Sequence, residues 1–294
     1  MTQNQHLMKK MTILLFAFGL LTSMTADLPA YLIYKSSGEK VSFGQMVDEL
    51  KSADVVFYGE LHNNPIAHWL QLELSKELLY VNQNRVIFGA EMFETDQQLI
   101  LDEYLDGLIR AKDFESGTRL WPNYVTDYKP VVDLAKENKV PFIATNIPRR
   151  YAAMVSKGGF SSLDNLDDRA KSLIAPLPFN YDSTLPGYSA MLQMGDMAHV
   201  NANLPKAQAA KDATMAWSIA RTLKDKHLFL HFNGSYHSDN YEGIIWYLKQ
   251  YKPNLKIVTI TTISVKNPND SPKDELKGAD FILAVDEDMT STGQ

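Results

Sequence analysis

Cysteine is absent from the chain. That excludes disulfides, thiolate metal sites, iron–sulfur clusters, cysteine nucleophiles and thioether-bound haem. Positive charge is also short. Lys and Arg total 29 against 35 Asp and Glu, a formal net charge of −6, so there is no basic field to hold nucleic acid, and no nucleic-acid-binding motif is present. The sequence contains no HExxH, which removes the helical zinc-protease geometry, and no G-x-S-x-G elbow, which argues against a standard serine hydrolase. Long repeats and blocks of like charge are missing as well. What remains is 294 residues, 45% hydrophobic and 22% charged, enough for an ordinary core in one large domain or two small ones.

The apolar run Ile13–Leu21 is too short to cross a bilayer but suits a signal-peptide core. Lys9 and Lys10 precede it, and Thr22, Ser23, Thr25 and Ala26 follow. Residues 1–26 therefore read as a signal peptide, against the alternative of a buried N-terminal helix. Leu21-Thr22-Ser23 opens like a lipobox, yet Met24 stands where a lipoprotein carries Cys, so there is nothing to acylate. The expectation is an exported, periplasmic protein without a lipid anchor.

Beyond it, short apolar runs alternate with amphipathic stretches. Asp54–Tyr58, Arg85–Ala90, Pro141–Thr145, His227–Phe232, Lys256–Thr262 and Asp280–Val285 read as strands. Ile66–Tyr80 behind Pro65, Thr95–Ile109 with a capping-box-like Thr95 and Gln98, Tyr128–Asn138, Arg149–Ser156, Lys206–Lys224 and Glu242–Tyr251 read as helices. Strands separated by helices predict an α/β fold with a mostly parallel central sheet and flanking helices. One segment, about 158–204, breaks the alternation. It holds short helical pieces, Phe160, Phe179, Tyr181, Tyr188 and Met191, Met194 and Met197. A long insertion of this kind reads as a mostly helical lid, or else as a packing subdomain whose Met and Phe side chains fill its own core.

Charged and imidazole groups gather where the strands end: Glu60 and His62, Glu91 and Glu94, Arg149 and Arg150, Tyr236 and His237. In an open parallel sheet these ends share one edge, where ligands sit. Glycine in Gly59–His62 and Gly234–His237 lets the chain turn off a strand and a ligand approach. His62, His237 and Glu91 are candidates for a divalent metal with open positions. The same groups with Glu60 equally suit metal-free acid–base chemistry. Plainer roles compete: Glu60 or Glu94 as helix caps, His237 as a satisfied polar group, Arg149 as a salt-bridge donor. His68 lies on a helix and faces either way, His231 belongs to the core, and His199 closes the lid.

The two Gly-x-x-His elements, the Glu91 strand end and Asn146–Arg150 resemble the ChaN-like proteins, which are bacterial haem-binding, iron-regulated proteins and often lipoproteins. Ala207–Ala216 is similar to their long-helix segment, and the resemblance spans most of residues 50–250. It implies a single ChaN-like α/β domain over 27–294 and haem as cofactor. The family's known example holds two haems face to face in a dimer with tyrosine on the iron. That implies a haem-induced homodimer, an outer-membrane haem receptor system as partner, Tyr181, Tyr188 or Tyr236 as iron ligand, Arg149 or Arg150 on a propionate, and His199 near the ligand. The wider superfamily includes Tiki and TraB proteins and erythromycin esterases. It implies the alternative of a metal-dependent hydrolase, protease or esterase, with Glu60, His62, Glu91 and His237 as catalytic groups and His62, His237 and Glu91 on the metal.

Overall fold

Residues 28–193, 201–270, 272, 273, 276 and 278–292 are described by the computed structural model. The expected signal peptide lies outside the described residues, as do Met194, Met197 and His199 of the expected lid. Strands β1 (Tyr31–Lys35) and β2 (Lys40–Val41) open the chain, followed by helix α1 (Phe43–Leu50). Ser42 and Gln45 close a reciprocal capping box at its start. Then come β3 (Val55–Glu60), α2 (Pro65–Val81), β4 (Val86–Glu94), α3 (Gln98–Leu105), α4 (Ala111–Gly117), α5 (Lys129–Asn138) and β5 (Phe142–Asn146). The second half runs through α6 (Arg149–Gly158), α7 (Asp168–Lys171), α8 (Pro186–Met191), α9 (Leu204–Thr222), β6 (Leu228–Gly234), α10 (Ile244–Tyr251), β7 (Ile257–Val265) and β8 (Phe281–Asp286).

The eight strands form one mixed sheet in the order β2-β1-β8-β7-β3-β6-β4-β5. From β8 to β5 every pairing is parallel. At the other edge β1 runs antiparallel to β8, and β2 antiparallel to β1. The mostly parallel expectation thus describes the centre. The antiparallel edge went unread because Tyr31–Lys35 is a five-residue strand beside a two-residue one, too short for a pattern. Helix α2 starts as its sequence suggests: the Asn64 side chain accepts from the Ala67 N–H, with Pro65 in the first turn. The Thr95 cap does not form. The Thr95 hydroxyl donates instead to the Leu173 carbonyl at 2.6 Å, β4 extends to Glu94, and a 3-10 turn at Thr95–Gln97 precedes α3.

Both faces of the sheet are covered. In β3, Val56 and Tyr58 pack with α1 to α5, while Val55 and Phe57 pack with α9 and α10. Side chains of a strand alternate faces, so one continuous apolar run fills two cores. In 158–204, Phe160, Phe179, Tyr181 and Met191 pack against the α9–α10 core.

The sheet order places β6, late in the chain, between β3 and β4. The carboxyl end of β6 therefore emerges between Glu60 and Glu91. Gly59 makes room for it. A Cβ there would sit 2.9 Å from the Ile260 carbonyl oxygen and 3.0 Å from the Ser235 Cα, both backbone atoms. Replacing Gly59 with Ala should push the Ser235–His237 turn off the sheet. We expect a loss of about 1–3 kcal/mol, read as a lower urea midpoint. An unchanged midpoint would show that the backbone gives way freely.

Candidate functional site

At the carboxyl edge, three carboxylates alternate with two imidazoles. Glu60 at the end of β3 is 3% exposed. Its carboxylate meets His62 Nδ1 at 2.9 Å and accepts from the Tyr128 hydroxyl and the Gln71 amide. Glu91, from β4, is also buried. It meets His237 Nε2 at 3.1 Å and accepts from the Gly234 N–H at 2.9 Å. The other His237 nitrogen, Nδ1, lies 2.5 Å from Asp212 on α9, whose second oxygen accepts from the Tyr188 hydroxyl at 2.7 Å. His62 stands between the carboxylates of Glu60 and Glu91. A Cβ on Gly234 would come within 2.7 Å of its Cε1 and Nε2 and 3.6 Å of a Glu91 oxygen. Glycine at 234 is thus needed for the close approach of the His62 ring, not for its backbone angle.

Physical causes fix the protonation of this row. Burial alone would strip the proton from His237, but Glu91 and Asp212 on either side outweigh it and push its pKa up to about 10. Burial alone would raise Glu91, yet the charge and hydrogen bond of His237, the charge of His62 and the Gly234 N–H hold it well below the usual carboxylate range. Glu60 is lowered too: burial opposes this, but His68 and His62 prevail. His62 is raised, its desolvation outweighed by Glu60 and Glu91. His231, enclosed in the core, is lowered by burial to about 4. It is bound to Thr145 and Asn233, as its core reading anticipated.

The row borders open space. His62 has a side chain 49% exposed and stands edge-on to Trp121, ring centres 4.7 Å apart. Below it, His68 faces inward. His68 Nε2 and the Asn123 amide both bond the His62 carbonyl, at 2.9 and 2.6 Å, fixing the turn that presents the ring. A cleft of about 780 Å³, within the range of small-molecule sites, opens beside it. Leu61, Met92, Leu120, Trp121, Pro122 and Ile147 give its apolar lining, and Arg149 and Lys211 give cationic groups. The Asn146 Oδ1 is buried with no partner among the described residues, an acceptor left for a donor from a ligand or water. A second cleft of about 370 Å³ shares Leu61, His62, Glu91 and Lys211 with the first and is also lined by Tyr236 and His237.

The candidate residues divide accordingly. Glu60, His62, Glu91 and His237 come together. Arg149 reaches the cleft, whereas Arg150 pairs with Asp96 at 2.5 Å and lies over the Tyr151 ring. Tyr236 is 41% exposed and donates to the Gly187 carbonyl. Tyr188 is buried and bound to Asp212, and Tyr181 packs between Phe160 and Tyr188. Among the described residues no set of three or more His, Asp and Glu side chains is arranged to hold a metal ion. Carboxylates meet both His237 nitrogens, Asp212 at Nδ1 and Glu91 at Nε2. The sequence reading missed Asp212, Lys211, Gln208, Trp121 and Tyr128. The first three lie in a long helix whose apolar spacing is uninterrupted. The only available signal was that Asp212 is an acid on the buried side of that helix.

Comparison with known proteins matches residues 46–248 to the haem-binding uptake family, Tiki superfamily, ChaN. The ChaN protein of Campylobacter jejuni, solved for its cofacial haem binding, is similar in fold, with a TM-score of 0.65 at 21% identity over 86% of this chain and 96% of that one. A Bacillus cereus protein gives a TM-score of 0.50 at 13% identity, covering 86% of this chain and 93% of its own. At these identities the likeness shows the fold alone. No curated protein matches the sequence.

A pH dependence follows from the buried row. His237 holds its proton more tightly in the fold than its ordinary value of 6.5 allows, so its contribution to stability is full below that value and is lost as pH rises through about 10. Glu91 has the opposite sign: its contribution is present above its ordinary 4.5 and is lost as pH falls through its lower folded value. Urea midpoints should therefore decline between pH 6.5 and 10, and less steeply in Asp212→Asn, where His237 has one carboxylate fewer. A wild-type profile that stays flat across that window would contradict the assignment.

Proposed function

We propose that the chain, which belongs to the haem-binding uptake family of the Tiki superfamily, ChaN, binds haem in the cleft beside His62. The observation that carries the reading is the division of that cleft. Leu120, Trp121 and Pro122 come from the layer on one face of the sheet, and Arg149 and Lys211 from helices on the other. An apolar, aromatic surface facing cations that are unpaired among the described residues suits a flat apolar ring with acidic side chains. When bound, haem supplies a ferric centre that accepts a hard anionic ligand such as a phenolate. Of the three candidate tyrosines, Tyr236 is the exposed one, on the wall of the adjoining cleft. We assign it as the iron ligand. Burial and the nearby Asp212 and Glu242 hold its proton on, so ligation requires release of that proton and of the bond to Gly187.

A lid over the site from 158–204 is supported by the Tyr236–Gly187 bond, which ties this segment to the candidate ligand. His199 belongs to the same proposal but lies outside the described residues. A cofacial homodimer is supported by the exposure of Tyr236 and by the C. jejuni ChaN protein. Export to the periplasm, without a lipid anchor, rests on Lys9, Lys10 and the apolar run after them, and delivery through an outer-membrane haem receptor system on export.

A second reading is favoured by one geometric feature. The His62 ring is oriented by Glu60 through Nδ1 while its other edge meets the cleft, the disposition of a general base for hydrolysis. A metal-dependent form would draw on His62, His237 and Glu91, which line the same smaller cleft.

Haem titration of the mature chain, residues 27–294, followed by visible absorbance and by oligomeric state, tests the first reading. Saturable binding with a ferric tyrosinate spectrum and a shift to dimer is expected. In Tyr236→Phe the tyrosinate band should be lost, and in His62→Ala binding should survive. Weak, non-saturable association would sink the haem reading. Ester or peptide cleavage abolished by His62→Ala would then favour hydrolysis.

A further inference from the structure

We propose that Lys211 and Arg149 form a carboxylate clamp, so that the cleft selects porphyrins by their free acid groups, with or without iron. The inference rests on the haem reading above and adds what the site discriminates. Four cationic side chains stand at or near the large cleft, and two of them are already neutralised. Arg119 contacts Glu94 and Asp96, each at 2.6 Å. Arg150 contacts Asp96 at 2.5 Å. Arg149 and Lys211 have no ion pair and no side-chain hydrogen bond among the described residues, although both line the cleft.

The neighbours explain why these two remain free. Glu94 accepts from the Arg149 backbone N–H at 2.9 Å and takes its ion pair from Arg119. Asp212, next to Lys211 in sequence, is consumed by His237 and Tyr188. Gln208, one turn before, lies 3.1 and 3.2 Å from the two His237 nitrogens. Lys211 also lines both clefts. The helices that carry the two cations share a core, which fixes their backbones relative to each other: Tyr151, Ala152 and Val155 of α6 pack with Ala207 and Ala210 of α9.

A partly buried ammonium beside apolar walls has lost part of its hydration without gaining a counter-ion. A carboxylate ligand restores that interaction, and a guanidinium can take a second one bidentately. Two such groups beside an aromatic wall match a planar ring carrying two acidic chains. The iron plays no part in this recognition. Esterifying the acids removes the charge the clamp reads and leaves the ring unchanged.

The test uses the mature chain with four probes: haemin, metal-free protoporphyrin, and the dimethyl ester of each. Titrations are read by absorbance and by quenching of protein fluorescence. Lys211→Met and Arg149→Met should each weaken both free acids about tenfold, and the double variant about a hundredfold. The esters should bind wild type about as weakly as the acids bind the double variant, with no further change on substitution. Lys211→Arg, which keeps the charge, should retain the affinity, and separates loss of the clamp from loss of folding. Unchanged acid binding in the double variant overturns the clamp, and so does an equal loss for acids and esters. Tight haemin binding with none of the metal-free acid would overturn the iron-independence. If wild type binds none of the four, the haem reading itself falls.

Discussion

The buried contact between Glu91 and His237 is the constraint on which the rest of the site depends. Neither group is tolerable alone at the top of a parallel sheet, since an isolated buried charge costs several kcal/mol even after relaxation. Each is held because its neighbour has the opposite charge, and the pattern then propagates. His237 carries a proton, so it demands Asp212 on its far side. Glu91 is ionised, so it accepts from the Gly234 N–H and draws His62 to its open side. His62 in turn is anchored by Glu60, whose remaining acceptor capacity is filled by Tyr128 and Gln71. A row of this kind has little reason to arise for stability, because apolar groups of the same shape fill such a space at lower cost.

Topology makes the row possible. A chain that laid its strands down in sequence order would place β4 beside β3 and put Glu60 next to Glu91, two acids with nothing between them. Returning β6 to the gap brings Gly234–His237 between the two acidic strand ends. Two glycines then solve the crowding this creates: Gly59 admits the turn after β6, and Gly234 admits the His62 ring. The repeated Gly-x-x-His element is therefore one packing solution used from both sides, and its two histidines end in different environments. His237 is enclosed, with both nitrogens bound. His62 is half exposed, with one nitrogen bound.

This difference explains what the sequence made legible. The parallel centre of the sheet could be read because each strand is a buried apolar run, and the convergence of Glu60, His62, Glu91 and His237 could be read because parallel strands share a carboxyl edge. The partners that set their charge could not. Asp212 and Lys211 are consecutive residues in a helix, and nothing in their spacing says that one turns to an imidazolium and the other to a cleft. Trp121 and Tyr128 sit in loop and π-helical backbone around Tyr124–Tyr128, which no periodicity announces. The tyrosines were ambiguous for a related reason. Fourteen are present, and only burial separates Tyr188, whose hydroxyl serves Asp212, from Tyr236, whose ring meets solvent.

Satisfied and unsatisfied groups thus have different roles in this molecule. Glu60, Glu91, His237 and Asp212 are saturated by their neighbours, so they can orient and polarise but have little left with which to bind. Arg149, Lys211 and the free edge of His62 are not saturated among the described residues, and all three border the same cleft. A ligand gains most where the protein has left interactions unmade, so recognition falls to the second set and electrostatic tuning to the first.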